Sequence, residues 1–450
     1  MYGRRANVWP EPLPGPAHER RAGLPQTGSL RGPLGEGTPM SAYRVTDELY
    51  LWWLAVPAQP HLIGTLRLVR RGARHSGGVS LQYAPAWLGK SQSLSEDLPL
   101  QDGEFFPTDN DSAAGAVDDA RPDRWGERVI RLLDRPPRLS TLEYLYFAGD
   151  DRFGALGVST SSTEYTPRRY GPLPTLRDVP AMHDLVRRVE AGEAVEESLR
   201  RLVSPGATLG GARPKALLDI KGVPWIVKFA EAGDTLDSGL VEHATMTLAT
   251  KAGIDVCKTV AVRHAGGHAV AIRRFDRDGP SRLHAVSAHV ALRAAGEPNG
   301  YPELALLLRR RGAADDFKAQ GEQLFRRMVF NILIDNTDDH EKNHVLLVNA
   351  SQRYRLSPAF DVLPAGQALG YQQMRVGSSG ADSTIDNAMS EHRAFALTKT
   401  RAQAICSEVA RVVAKWRTHF KSRKVSPRGI DQLAQQIDRE FLKEQRQALV

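Results

Sequence analysis

The sequence contains little cysteine, little lysine and no long apolar run. Its two cysteines, Cys257 and Cys406, stand alone among 450 residues, which excludes a disulfide framework, and they lack the spacing of a metal site. The best candidate for a membrane helix, residues 49–56, is stopped by Pro57. A membrane helix needs about 18 apolar residues. These absences predict a protein of the reducing cytoplasm.

The length predicts several folding units. A chain of 450 residues, 41% apolar and 25% charged, has a globular composition and exceeds one domain of about 100–200 residues. Residues 1–39 are rich in Pro, Gly and Arg without any period, and they predict a disordered tail. Met40 is therefore a candidate natural start. Three further units are expected, at 40–170 (mixed α and β), 171–286 and 287–450 (mainly helical).

The formal charge is +8, and only 13 of the 60 basic residues are lysine. The last 50 residues hold 11 Lys and Arg against 5 Asp and Glu, so most of the excess lies at the C-terminal end. A solvated helix face is the simplest interpretation of such a run. The alternative is a surface for nucleic acid or an acidic partner, with Arg411, Lys415, Lys421 and Lys424 as its footprint.

Hydrophobic periodicity predicts both strands and helices. Apolar or alternating runs between turn residues predict strands at 49–56, 63–69, 79–83, 216–220, 225–229, 256–262, 269–272, 344–348 and 354–356. The strands 216–220 and 225–229 are expected to be joined by the four residues 221–224. Helical spacing predicts helices at 123–133 and 238–252, the second with Asp237 or Ser238 as its N-cap.

A dense polar segment at 335–343 separates a buried helix from a buried strand. It reads Asp-Asn-Thr-Asp-Asp-His-Glu-Lys-Asn and follows an apolar helical stripe at 324–333. Packing gives no reason for such a loop, whereas phosphoryl transfer does. A kinase catalytic loop has the pattern D-x-x-x-x-N, and Asp338 and Asn343 have that spacing.

Each residue of this loop has an expected role in phosphoryl transfer. Asp338 would accept a hydrogen bond from the attacking hydroxyl, and Asn343 would offer magnesium a neutral oxygen. Lys342 lies between them and would neutralise charge on the transferred group. Asp361, which follows the short strand 354–356, is the second candidate magnesium ligand.

The parts of a nucleotide lobe precede the loop in the expected order. Lys228 ends a predicted strand, and Glu242 follows 14 residues later near the start of a helix, where it can hold the lysine by an ion pair. The segment 204–215 contains Gly210 and Gly211, which allow the backbone to approach phosphate closely. It matches neither the Walker A pattern nor G-x-G-x-x-G.

Taken together, these motifs resemble the HipA-type serine/threonine kinases, the toxins of bacterial type II toxin–antitoxin pairs, over roughly residues 43–420. The motifs are 210–215 (Gly-Gly-Ala-Arg-Pro-Lys), 226–228, Glu242 with Met246, Leu248 and Ala249, 274–277 (Arg-Phe-Asp-Arg), 331–343 and 357–361 (Ser-Pro-Ala-Phe-Asp).

The resemblance implies an α/β (α+β) chain with a bilobed, protein-kinase-like fold that uses ATP and Mg²⁺ to phosphorylate a protein hydroxyl. The unit 171–286 would be the nucleotide-binding lobe and 287–450 the catalytic lobe. The resemblance makes Asp338 the base, Asn343 and Asp361 the magnesium ligands, and Lys228 a phosphate-binding residue. It also implies that the backbone near Arg274 and Phe275 holds adenine and that Asp276 lies close to the ribose.

The resemblance also implies regulation and partners. Members of the family autophosphorylate a serine in the Gly-rich loop, which silences the kinase. Thr208 occupies that position here, and its branched side chain restricts its rotamers, so Ser204 is the alternative site. A helix-turn-helix antitoxin is the expected partner, with DNA met only through it, and an aminoacyl-tRNA synthetase is the family's typical substrate.

Two other functions remain open at this point. A small-molecule, antibiotic-type phosphotransferase uses a similar set of Asp, Asn and Asp. A hydroxyl at Thr208 in the phosphate loop favours the protein kinase, because a self-acting switch needs one. The other alternative is a catalytically silent corepressor that binds a DNA-bound antitoxin through its basic C-terminal end. The full set of catalytic residue types argues against it.

Overall fold

The computed structural model describes residues 43–69, 77–90, 92–169, 171–206, 211–365 and 369–450. Residues 45–450 belong to one folded unit, and of the preceding unit only Tyr43 and Arg44 are described. The predicted tail 1–39 lies outside these ranges, and the predicted boundaries after 170 and 286 stay predictions. In the described ranges, no helix combines the length and the apolar character needed to cross a membrane.

The first sheet is antiparallel and has the strand order β4-β3-β2-β1-β5. Its strands are β1 (Glu48–Trp53), β2 (His61–Leu68), β3 (Val79–Tyr83), β4 (Glu104–Phe105) and β5 (Leu156–Ser159). The helices of this part are α1 (Pro85–Leu88), α2 (Arg124–Val129) and α3 (Thr141–Phe147), with a 3-10 helix at Gly115–Ala120. The predicted helix 123–133 is α2 followed by a π-helical turn, Ile130–Asp134, and Asp123 caps it through the Gly126 amide at 2.9 Å.

The second sheet is also antiparallel, with the strand order β6-β7-β9-β8. Its strands are β6 (Lys215–Ile220), β7 (Val223–Lys228), β8 (Thr259–His264) and β9 (Gly267–Arg273), its helices are α4 (Val179–Ala191) and α5 (Ser238–Lys251), and 3-10 helices occupy Leu176–Asp178 and Glu197–Leu202. The expected four-residue connection between β6 and β7 is wrong by two residues. Lys221 and Gly222, with φ of 57° and 77°, form a complete two-residue hairpin turn, so Val223 already pairs with Ile220.

The second sheet is buried on both faces. Ile226 and Ile272 belong to the large core that includes α5, whereas Val227 and Ala271 pack with the apolar residues of α4. Side chains alternate between the faces of a strand. Lys228 therefore lies on the same face as Ile226, toward α5.

The part of the chain beyond 287 is mainly helical, as predicted. It begins after β10 (Arg277–Asp278), β11 (Ser281–Arg282) and β12 (His284–Ser287), and β12 forms a three-stranded antiparallel sheet with β13 (Val345–Val348) and β14 (Tyr354–Leu356). The helices are α6 (Ala288–Ala294), α7 (Tyr301–Arg311), α8 (Phe317–Ile334), α9 (Ile385–Ser390), α10 (Lys399–Val413), α11 (Trp416–Ser422), α12 (Pro427–Ile437) and α13 (Glu440–Gln447), with 3-10 helices at Glu341–Asn343 and His392–Phe395.

Candidate active site

Lys228 is held between two carboxylates in the interior of the protein. Its ammonium lies 3.0 Å from Oε1 of Glu242 on α5 and also binds Oδ1 of Asp361, which follows β14. The predicted ion pair with Glu242 is therefore present. Burial alone would lower the pKa of Lys228, but Asp361 and Glu242 outweigh it and raise that pKa.

The two carboxylates respond differently to the shared ammonium. Burial raises the pKa of Glu242, and the attraction of Lys228 only partly offsets this effect. For Asp361 burial acts in the same direction, but Lys228, assisted by Lys215, lowers the pKa below its usual range. Asp361 is therefore the more strongly ionised of the two.

A second buried lysine, Lys215, lies opposite Lys228 in the register of β6 and β7. Like charges directly opposite each other destabilise a strand pair unless counter-charges are supplied. Here Asp123 of the α2 N-cap binds the Lys215 ammonium, which also donates to the Gly211 carbonyl at 2.5 Å. Lys215 thus holds the Gly-rich segment at Gly211, close to Lys228. The predicted site residues did not include it.

The Gly-rich segment is described only in part. Gly211 has a φ of 61°, in the left-handed region, and a Cβ at this position would lie 3.9 Å from the Asp361 carboxylate. Gly210 and Thr208 lie outside the described residues. Ser204 lines a small cavity together with Arg168, Arg169 and Arg201 rather than residues of the 335–343 loop.

The 335–343 loop starts where α8 stops. Asp335 ends the helix with a φ of 61°, and its carboxylate accepts a hydrogen bond from Arg439 at 2.6 Å. Three residues later the side chain of Asp338 is exposed. Partial burial raises the pKa of Asp338, with further contributions from Asp361 and Asp339, whereas His340 opposes them.

Asn343 and Lys342 differ in their surroundings. Asn343 is 4% exposed, and within the described part of the chain its Oδ1 has no hydrogen-bond partner, so a buried acceptor is left open. Lys342 is exposed and lines a small cavity with the acidic residues Asp118, Asp119 and Asp123. Its environment therefore includes carboxylates of the first part of the chain.

A buried network beneath the loop was not predicted. The Asp339 carboxylate accepts a hydrogen bond from the Tyr301 hydroxyl of α7 and contacts Nε2 of His344 at 2.8 Å. Asn331 of α8 donates to the Tyr301 oxygen at 3.3 Å and accepts from Asn336 at 3.1 Å. All five residues are buried. The network holds Asn336 and Asp339, which lie on either side of Asp338 in the sequence, against α7, α8 and the residue before β13.

The segment after β9 holds Arg274 and Asp276 in an ion-pair network. The Asp276 carboxylate accepts from Arg274 at 2.8 and 2.7 Å, from Arg277 at 2.9 Å and from the Gly154 amide at 2.8 Å. Arg274 also donates to the carbonyls of Asp151 and Arg152, both at 2.9 Å. Both oxygens of the fully buried Asp276 accept hydrogen bonds from protein donors, and its expected position beside a ribose stays a prediction.

Phe275 lies between these two residues and is only partly buried. Its ring stacks on Phe360, with centroids 5.5 Å apart and planes 28° apart, and Phe153 meets it edge-on at 6.3 Å. Phe360 immediately precedes Asp361. The segment expected to hold adenine is thus in ring contact with the segment that carries the candidate metal ligand.

Comparisons with known proteins identify the fold and the family. HipA of the Shewanella oneidensis MR-1 toxin–antitoxin system, solved with HipB and its operator DNA, is similar with a TM-score of 0.58 and 17% identity, covering 89% of this chain and 96% of that chain. The Helicobacter pylori proinflammatory kinase CtkA gives a TM-score of 0.42 and 14% identity, covering 55% of this chain and 94% of that chain. The likeness to the HipA structure shows the fold, and the predicted α/β, protein-kinase-like fold class is confirmed.

Family descriptions match two parts of the sequence. Residues 54–159 match the HipA N-terminal domain, and residues 207–416 match the HipA-like C-terminal domain. The two matches together cover more than half of the chain. It belongs to the HipA family, and the resemblance stated from its motifs is confirmed.

Proposed function

We propose that this chain is an ATP- and magnesium-dependent serine/threonine-protein kinase and the toxin of a type II toxin–antitoxin pair. The contact of Lys228 with both Glu242 and Asp361 supports this proposal most directly. It joins β7, α5 and the segment after β14 at one buried point, and buried charges of this kind are typical of functional sites. A lysine held in this way binds the α and β phosphates of ATP.

Magnesium fits the oxygen atoms of this site. Asn343 offers a buried oxygen without a hydrogen bond in the described residues, and Asp361 offers a carboxylate of low pKa. Mg²⁺ commonly takes one or two protein carboxylates and completes its shell with water and phosphate oxygens. When bound, the ion supplies positive charge for the transferred phosphoryl group.

Asp338 is the proposed base. Its exposed carboxylate can meet a substrate hydroxyl, while Asp339 anchors the neighbouring backbone from below. In the proposed reaction the hydroxyl oxygen forms a bond to the γ-phosphorus, the bond to the ADP oxygen breaks, and the hydroxyl proton passes to Asp338. Lys228 holds the remaining phosphates in place.

The proposed regulation and partners follow the family. Autophosphorylation at Thr208 or Ser204 would silence the kinase. The Shewanella HipA structure contains HipB and operator DNA, which supports a helix-turn-helix antitoxin as the partner and DNA contact through that partner. An aminoacyl-tRNA synthetase is the proposed class of protein substrate.

The test is incubation of the unphosphorylated, antitoxin-free chain with radiolabelled ATP and Mg²⁺. Wild type is expected to label itself at Thr208 or Ser204, and Asp338→Asn is expected to abolish the label. Asp386→Asn changes an exposed aspartate on α9 in the same way and serves as the control. Absence of any self-labelling, ATP hydrolysis or transfer by wild type would refute the kinase proposal.

A second assay separates the proposal from its alternatives. Transfer only to small-molecule hydroxyls would support an antibiotic-type phosphotransferase. Growth arrest on expression, relieved by Asp338→Asn, is expected of a toxin. Binding to an antitoxin–operator complex without any phosphoryl transfer would instead support the silent corepressor.

A further inference from the structure

The basic excess of the C-terminal end meets α5 at a large cleft. A cavity of about 870 Å³ opens between the C-terminal turn of α5, α8, α10 and α11. Four cations from distant parts of the sequence line it: Lys251 of α5, Arg326 of α8, Arg411 of α10 and Lys415. The described residues that line it include none of those proposed for catalysis. The cleft is therefore separate from the candidate active site.

The other charges of the cleft neutralise one another. Arg326 binds Glu408 at 2.7 Å and Glu322 at 3.2 Å, and Arg401, which does not line the cleft, binds the same two glutamates. Two cations thus balance two anions in one network.

The three remaining cations have no counter-charge in the described part of the chain. Lys251, Arg411 and Lys415 are all exposed, and none of them forms an ion pair there. A concave surface with uncompensated positive charge attracts an anionic group.

The cleft is connected to α5 by a buried histidine. Nε2 of His419 on α11 lies 2.9 Å from the Thr247 hydroxyl of α5, and Nδ1 is buried without a partner in the described residues. Burial lowers the pKa of His419 to about 4, assisted by Lys251 and Arg423, so the imidazole is neutral at pH 7. The wall of the cleft is thus continuous with the helix that carries Glu242.

We infer that this cleft docks an acidic peptide segment of a protein partner and that docking stabilises the position of α5. Carboxylates spaced along a peptide can pair with Lys251, Arg411 and Lys415 while avoiding the two glutamates on the wall. A continuous phosphate backbone cannot avoid them, and a concave cleft does not suit a rigid duplex. The docking itself does not depend on the proposed kinase activity. A stabilised α5 also holds Glu242 in place, and the importance of that effect rests on the proposed function.

Binding is measured on the full chain without ATP, so the outcome is independent of catalysis. The probe is a fluorescein-labelled hexaglutamate peptide, followed by anisotropy. Each exposed charge pair contributes little alone, so three substitutions are combined. The variant Lys251→Ala/Arg411→Ala/Lys415→Ala is expected to raise Kd at least about fivefold. Lys421→Ala/Lys424→Ala/Arg428→Ala removes the same charge from neighbouring exposed residues that do not line the cleft, and it is expected to leave Kd within about twofold.

Several outcomes would overturn the docking. They are absence of peptide binding, equal weakening by both triple variants, or tighter binding of a labelled DNA duplex that depends on the cleft cations. Hydrogen exchange supplies the second readout: the amides of α5 are expected to exchange more slowly with peptide bound, and unchanged exchange would overturn the effect on α5. Arg411→Glu alone replaces the cleft variant if the triple substitution impairs folding.

Discussion

The ammonium of Lys228 binds the carboxylate of Asp361, although 133 residues separate them in the sequence. The same ammonium lies 3.0 Å from Glu242, so one buried cation is shared by two carboxyl groups. Asp361 has a φ of 58°, a left-handed backbone conformation that is uncommon outside glycine. The tertiary contacts thus bring three titratable side chains together at one point, and one of them, Asp361, has a left-handed backbone conformation.

Replacing Lys228 by methionine is expected to remove phosphoryl transfer and to destabilise the fold. Loss of the ammonium leaves Glu242 and Asp361 buried without a partner, which costs about 3–5 kcal/mol. The ion pair lowers the pKa of Asp361. Its contribution to the free energy of unfolding is therefore present above the unfolded pKa of Asp361 and is lost as the pH falls through the lower folded pKa. Urea unfolding at pH 8 and pH 5, both above the unfolded Asp pKa of about 3.9, compares the variant with a wild type whose ion pair is intact.

The stability gap between wild type and Lys228→Met should narrow at pH 5, because the variant's buried carboxylates can then take up protons. Lys258→Met, at an exposed lysine, is the matched control and should change stability little. An equal loss at both pH values would show that packing rather than charge causes the effect.

The Tyr301–Asp339 hydrogen bond is expected to matter for turnover rather than for nucleotide binding. Tyr301→Phe removes the donor beneath the catalytic loop and should lower kcat by about 10–100-fold, because small displacements of a catalytic group are costly. The KM for ATP should stay within about twofold, since Lys228 is untouched. Steady-state kinetics gives both constants, with Tyr371→Phe on an exposed tyrosine as the control. A change in KM alone would contradict the positioning role.

His340 is expected to set the acid limb of the pH–rate profile. It lowers the pKa of Asp338 against the larger effect of burial. The electrostatic effect of His340 is lost in His340→Ala, which should therefore raise the pKa of Asp338 further. The base works only when ionised, and the acid limb of kcat/KM should therefore move to higher pH. His61→Ala, at an exposed position on β2, should leave the limb unchanged. A shift of the acid limb to lower pH would contradict this role of His340.

Asp276 is expected to contribute to the stability of the fold through its buried ion pairs with Arg274 and Arg277. Asp276→Asn leaves the buried Arg274 guanidinium without its counter-charge, and a loss of about 3–5 kcal/mol should follow. Burial would raise the pKa of Asp276, but Arg274 and Arg277 outweigh it and lower the pKa well below its usual range. The contribution is therefore full above the unfolded pKa and disappears only at strongly acid pH.

Urea unfolding between pH 4 and pH 8 checks this expectation for Asp276→Asn. The exposed Asp278 two residues later, replaced in the same way, is the control. A variant as stable as wild type would mean that the network is not coupled to folding. Loss of activity at unchanged stability would support the predicted role of Asp276 beside the ribose.

Short-range patterns in the sequence were enough to find the main parts of the candidate site. The spacing of Asp338 and Asn343 lies within one loop, and Lys228 and Glu242 lie on a strand and the helix that follows it. Such elements depend on local periodicity and on caps such as Asp237, which accepts a hydrogen bond from the Leu240 amide at 3.3 Å. The roles assigned to these residues stay predictions. Thr208 and Gly210 lie outside the described residues.

Other contacts could not be predicted, because they join residues from distant parts of the chain. Nothing local connects Tyr301 to Asp339, Lys215 to Asp123, or Asp276 to the Gly154 amide. A tyrosine at the start of a helix and a lysine at the start of a strand give no signal of their partners. The expected position of Asp276 beside a ribose came from the family resemblance and stays a prediction.

The sequence by itself determined the family, the kinase-like fold class and the residue types available for catalysis, since these follow from motifs and periodicity along the chain. Only the tertiary structure decided which charges are paired. It placed Lys228 between two carboxylates and, among the residues that the structure describes, left Lys251, Arg411 and Lys415 without ion pairs around one cleft. The physical reason is that ion pairing and burial depend on distances in space, and the side chains that meet here are mostly far apart in the sequence.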